Sequence, residues 1–303
     1  MKELRYIERS TGEELVEKVY GAKALELFYG EGLAPRFFSK AFLPLIAKLP
    51  FASRLYGYFQ KKTTSRGKIR PFIDQYKIDE KEFADPVHSF LSFNDFFIRK
   101  LKSSCRPIAP DPCQVIFPAD GRYLVYPDLR YVEGFFVKGQ QFSLGDFLKD
   151  PILARRFCDG AMVIARLCPT DYHRFHFPCD GNVLNTKRIH GPLFSVNPIA
   201  LRKNLSILWE NKRFITEIEN PIFGSLLFIE IGATAVGSVH QTFCPDQPVR
   251  KGDEKGYFEF GGSCVVLLFE KGRVQFDADL IRHSNRLIET RANFGESLGR
   301  ASL

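Results

Sequence analysis

The sequence predicts an α+β protein: a helical N-terminal region, residues 1–105, ahead of a β-rich body, residues 106–303. Three observations predict it. Before residue 105, apolar residues recur at helical spacing within segments broken by Pro35, Pro44 and Pro50. From about residue 114 the pattern changes to short runs of β-branched and aromatic residues. Gly, Pro, Asn and Asp punctuate those runs, and no internal repeat or low-complexity tract interrupts them.

Residues 11–30 open with Thr11 and Glu14 at capping-box spacing, and Leu15, Val16, Val19 and Leu27 continue as a helical stripe. Residues 33–60 read as two or three short helices, 61–70 as a basic linker, and 88–102 as a helix. The β-like runs that follow are QVIFPAD, RYLVYP, YVEGFFV, AMVIARL, NVLNTKRI, RFITEIEN, SLLFIEIGATAVGSV, GYFEF, CVVLLF and VQFDADL. The segment KGDEKGYFEFGG predicts a tight turn into a strand pair, with Gly256 at the bend.

Composition is that of an ordinary globular chain, 45% apolar and 26% charged, but with 30 phenylalanines against one tryptophan. The net charge of +8 is uneven: nine Lys or Arg and no acid lie between Glu31 and Asp74, interleaved with large apolar residues from Phe37 to Phe59. A basic amphipathic stretch of this kind suits a surface of anionic lipid better than a nucleic-acid groove. No apolar run reaches the roughly 20 residues of a membrane span, so peripheral association is expected. The first 21 residues lack the apolar centre of a signal peptide, which predicts the cytoplasmic face of the membrane. Seven cysteines, with no C-x-x-C pair, are expected as reduced thiols.

The chemistry-bearing residues converge on one pattern. Gly261-Gly262-Ser263-Cys264 precedes a strand-like run, RLCPTDYHRFHFPCDG carries His173 and His176, and FPADG carries Asp120. A Ser, a His and an Asp are the parts of an activated nucleophile. No G-x-S-x-G elbow is present, which argues against a serine hydrolase. A serine after two glycines at the mouth of a strand is placed to attack its own preceding carbonyl, so self-cleavage between Gly262 and Ser263 is predicted. Two histidines three apart with no companion ligand cluster predict no metal site.

These residues, with FFIRKLKSSCRPI (96–108), GPLFSVNPIA (191–200), IGATAVGS (231–238) and KGDEKGYFEFGGS (251–263), resemble the phosphatidylserine decarboxylases in family order over roughly two thirds of the chain. The resemblance implies a proenzyme whose catalytic domain, 106–303, is cut into chains 1–262 and 263–303 that stay together. It implies a pyruvoyl group made from Ser263, with His176 as base and Asp120 behind the imidazole. It further implies decarboxylation of phosphatidylserine to phosphatidylethanolamine and CO2 through a Schiff base to that group, with His173 supplying the proton. Arg166, Asn197 and Arg213 are candidates for the headgroup phosphate or carboxylate, which guanidinium groups match in shape. The expected partners are phosphatidylserine in anionic membranes and a second copy of the chain in a homo-oligomer, with no nucleic acid.

Two departures stand out. Familiar members read Leu-Gly-Ser-Thr at the cleavage site and Asn-Glu-Arg where this chain has Asn211-Lys212-Arg213. The alternatives are the same chemistry on another amino-acid-type substrate, or a lipid-binding membrane-surface protein that never matures.

Overall fold

The apolar runs AMVIARL and SCVVLLF become adjacent strands of one sheet, because every residue in both is buried. A strand apolar on both faces needs layers above and below it, and the chain provides them. The structure is a computed structural model that describes residues 3–17, 57–130, 143–196, 207–232, 239–261 and 263–302.

Its strands, in chain order, are β1 (Arg5–Glu8), β2 (Glu14–Val16), β3 (Gln114–Ile116), β4 (Gly121–Tyr126), β5 (Ala161–Leu167), β6 (Arg174–His176), β7 (Gly181–Ile189) and β8 (Arg213–Asn220). They continue with β9 (Gly224–Gly232), β10 (Val239–Gln241), β11 (Pro248–Val249), β12 (Glu254–Phe258), β13 (Ser263–Phe269), β14 (Val274–Phe276), β15 (Glu289–Ala292) and β16 (Ser297–Ala301). The described α-helices are α1 (Ile69–Tyr76), α2 (Phe93–Phe97), α3 (Leu144–Leu148), α4 (Pro151–Phe157), α5 (Ile207–Glu210) and α6 (Ala278–Asn285). None is long and apolar enough to cross a membrane.

Ten strands form the main sheet in the order β11-β7-β8-β9-β13-β5-β4-β15-β1-β2, and β1–β15 is its parallel pair. Two three-stranded sheets, β10-β12-β6 and β14-β16-β3, accompany it. Side chains alternate across a strand, and the core divides accordingly. Val163, Ala165, Leu167, Phe228, Val265 and Leu267 pack with Phe175, Phe177 and Phe258 of the smaller sheet on one face. Met162, Ile164, Ile229, Ile231, Cys264 and Val266 pack on the other with residues of α3, α4 and α5. A third cluster of phenylalanines, from α1 and α2, closes over Phe260.

Several expectations change. Residues 11–17 are not the start of a helix: Glu14–Val16 pair with Arg5–Ile7 at the edge of the main sheet. Thr11 Oγ1 accepts only from the Glu13 amide, so the capping-box spacing serves a turn. The predicted helix over 88–102 shortens to α2, capped by the Ser92 hydroxyl. The rest of the 11–30 segment, the 31–56 part of the basic stretch and YVEGFFV lie outside the described residues. Gly256 is not at a bend. It sits inside β12, where a Cβ would lie 2.1 Å from the His240 carbonyl oxygen of β10. Gly256→Ala is therefore expected to cost about 1–3 kcal/mol, the usual range for overpacking, read as a lower denaturant midpoint at unchanged slope.

Candidate active site

Ser263 is the first residue of β13, opposite Leu167 of β5 and Gly232 of β9. It is fully buried, and among the described residues its hydroxyl has no hydrogen-bond partner. An orphaned buried hydroxyl is uncommon and calls for an explanation. The chain reaches it through Gly261 at φ 144°, a left-handed backbone that favours glycine. Gly262 lies outside the described residues. Cys264 faces the opposite side of the sheet, and burial pushes its thiol up to about 12, so it is a packing residue and not a second nucleophile.

The two histidines are held alike. His173 Nδ1 lies 2.9 Å from the Asp171 carbonyl oxygen, and His176 Nδ1 lies 2.9 Å from the Gly252 carbonyl oxygen. A carbonyl only accepts, so in each ring Nδ1 carries the hydrogen and Nε2 is the basic lone pair. Both Nε2 atoms are buried and, among the described residues, without a partner. Desolvation lowers His173 to about 3 and His176 to about 4. Both rings are neutral at pH 7, and desolvation disfavours their protonated forms. His173 lies 3.8 Å, centroid to centroid, from the Phe97 ring, and His176 stacks at 3.7 Å on Phe294.

These shifts carry a pH signature. A histidine whose folded pKa lies below 6.5 binds fewer protons folded than unfolded, so stability rises with pH and is lost as pH falls from 6.5 towards 4. Each ring contributes at most about 1.4 kcal/mol per pH unit in that window. Denaturant unfolding at pH 7 and pH 5 is expected to show the loss, and His176→Ala to make the dependence shallower.

The register sets where each ring sits. β12 runs antiparallel to β6, from Glu254 beside His176 to Tyr257 beside Arg174, and the Phe258 amide donates to the His173 carbonyl. His173 is therefore at the end of this pair from which the chain turns towards Ser263. Phe97 bridges the two, packing on His173 and, at 5.0 Å, on Phe260.

Asp120 is placed differently from the expected triad. Its carboxylate accepts from Arg106 Nε at 3.0 Å and Nη2 at 2.6 Å, and from the Phe294 amide at 2.8 Å. The guanidinium fork outcompetes an imidazole for both oxygens, while Gly252 takes the imidazole hydrogen. Asp120 reaches His176 indirectly, by fixing the backbone of the phenylalanine on which that ring stacks. No hydrogen bond joins Ser263, His176 and Asp120.

Arg166 is bound by Glu17 at 2.6 Å and Glu289 at 2.5 Å. Arg213 donates to the carbonyls of Phe147, Asn211 and Asp146. Asn197 lies outside the described residues. Sequence reasoning missed a fully buried ion pair between Lys255 and Glu230, 2.5 Å apart. It also missed the charged network in which Arg122 meets Glu17 and Asp171. A glutamate inside the apolar run LLFIEIG was the one available signal.

A buried serine at the head of a central strand and two neutral histidines, unsatisfied among the described residues, are groups suited to nucleophilic and proton-transfer chemistry. Among the described residues, no group of three or more His, Cys, Asp or Glu converges as metal ligands.

The profile of the phosphatidylserine decarboxylase family matches residues 93–300. The chain is 48% identical over 299 residues to the phosphatidylserine decarboxylase proenzyme of Chlamydia muridarum, covering 99% of this chain and 98% of that one. It is 45% identical over 301 residues to the proenzyme of Chlamydia pneumoniae, with 99% and 98% covered. The chain belongs to the phosphatidylserine decarboxylase family, a family of carboxy-lyases.

Proposed function

We propose that the protein converts phosphatidylserine to phosphatidylethanolamine and CO2 after cutting itself between Gly262 and Ser263. The observation that carries this reading is the orphaned, fully buried Ser263 hydroxyl at the head of β13, in a chain near-identical in length to proenzymes of that name. A buried hydroxyl with no hydrogen bond among the described residues calls for an explanation beyond structure, and Gly261 has the permissive backbone that a close internal attack needs.

In this reading His176 Nε2 takes the Ser263 proton as Oγ attacks the carbonyl carbon of residue 262. Asp120 acts by holding Phe294 against the His176 ring. Residue 263 then becomes the pyruvoyl group, which supplies an electron-accepting carbonyl to the decarboxylation. His173 Nε2, in a dry setting against Phe97, takes the proton that the substrate ammonium sheds on becoming a free amine and gives it to the carbon that loses CO2. Arg166 and Arg213 project from the Cys264 side of the sheet, opposite Ser263, and are tied to carboxylates and carbonyls, so neither is read as a headgroup ligand.

The basic stretch within residues 1–105 docks the protein peripherally on anionic lipid at the cytoplasmic face, while residues 106–303 carry the nucleophile and both histidines, with β1, β2 and Phe97 of the first region packed into that body. Supporting this are the exposed Tyr58 and Phe59, with Lys62 4.7 Å and 5.7 Å from their ring centroids. Rings beside a cation suit the headgroup level of a bilayer. The test is a denatured mass together with CO2 release from phosphatidylserine vesicles. Two chains, a carbonyl at residue 263 and CO2 from vesicles support the reading. An uncut chain that binds vesicles without releasing CO2 sinks it.

A further inference from the structure

The proposed maturation removes two protons from residue 263: first from Oγ, then from Cα when the ester formed by the attack eliminates. The histidines account for the first. A separate group stands where the second must go.

Glu230 and Lys255 have no exposed surface, and Lys255 Nζ donates to Glu230 Oε1 at 2.5 Å and to Gln241 Oε1 at 2.8 Å. The ammonium lies 4.9–5.9 Å from the ring centroids of Phe228, Phe243, Phe175 and Phe177. A pair this dry is a poor stabiliser, since desolvation offsets the attraction and apolar residues of similar volume do as well. Glu230 Oε2 makes no hydrogen bond of good geometry, although the Gln241 amide is near enough to favour the charged carboxylate.

Register places Glu230 relative to the serine. In the β9–β13 pair, Gly232 faces Ser263 and Glu230 faces Val265. Residues two apart on a strand share a face, so Glu230 and Ser263 project from the same side of the sheet as diagonal neighbours. Such positions are about 7–8 Å apart, within reach of a long side chain. Two orphaned polar groups, a carboxylate oxygen and a hydroxyl, therefore share one dry face one register step apart.

We propose that Glu230, held by Lys255, is the base that takes the Cα proton of residue 263 in the elimination step. The Cα–H bond breaks towards Glu230 Oε2, and its electron pair becomes the Cα–Cβ double bond. The Cβ–Oγ bond breaks, and the new carboxylate of residue 262 leaves with that pair. Solvent water then replaces the enamine nitrogen, which departs as ammonia. Desolvation raises Glu230 and lowers Lys255. A carboxylate kept ionised by its partner in a dry site is a stronger base than one in water.

The inference rests on the self-processing reading, and the experiment separates the two. Wild type, Ser263→Ala, Glu230→Gln and the double variant E230L/K255M are purified, denatured with and without hydroxylamine, and weighed. Wild type is expected to give a short chain with a carbonyl end, and Ser263→Ala an uncut, hydroxylamine-resistant chain. Both Glu230 variants are expected to stall at the ester: hydroxylamine splits them, and the short chain begins with an ordinary serine. Failure of wild type to form a carbonyl overturns the self-processing reading and this one with it. A carbonyl forming at the wild-type rate in either Glu230 variant overturns the role of Glu230 alone. So does a folded variant that stays uncut in hydroxylamine, or loss of the fold in both variants, which would make the pair structural.

Discussion

Ser263→Ala is expected to remain a single chain with no carbonyl and no decarboxylation, at wild-type stability or slightly above it. Removing a buried hydroxyl that has no partner relieves a desolvation cost and leaves only a small void. The substitution is thus the rare one that abolishes function while sparing the fold. Intact mass reads the first effect and a thermal melt the second. A cut Ser263→Ala chain would move the nucleophile elsewhere. A melt lowered by more than a few degrees would mean the hydroxyl has a partner in solution.

The second large effect separates the two histidines. His176→Ala is expected to leave the chain uncut. His173→Ala is expected to be cut normally yet to release CO2 slower by about 10²–10⁴-fold, the usual contribution of a placed proton donor or acceptor. The alanine leaves a void against Phe97 or Phe294, so the fraction folded is measured beside each rate. The opposite result, an uncut His173→Ala and a cut His176→Ala, would exchange the roles. The register makes that exchange a concrete alternative, because His173 is the ring nearer the turn into Ser263.

The long central strands were legible for a physical reason. β5, β9 and β13 are each buried over seven or more consecutive residues and are mostly apolar, and burial of both faces favours that composition. β6 has three residues, too few for a period to register. β2 was lost because Thr11 and Glu14 fit a helix start, and only pairing with β1 decides otherwise. The site divides in the same way. Ser263, His173 and His176 are visible because their local motifs are unusual. The Arg106–Asp120 and Lys255–Glu230 contacts were not, since a lysine among charged neighbours looks solvated until another strand supplies its partner. Gly256 looked like a turn residue because the sequence carries no trace of the His240 carbonyl against it.

Ser263 opens β13, one of the two central strands of the ten-stranded sheet, and this has a consequence for refolding. Residues 263–302 supply β13 between β9 and β5, β15 between β4 and β1, and β16 beside β3. Once that bond is cut, the short piece is laced through the long one at three separate places. The uncut chain folds as a single molecule, with a rate independent of dilution. The cut pair, once unfolded, must find its other half by collision. Its recovery from denaturant should therefore fall on dilution, and its heat inactivation should be governed by the barrier to unlacing. Cutting this fold before Ser263 would be a one-way door, removing the chain's ability to fold on its own.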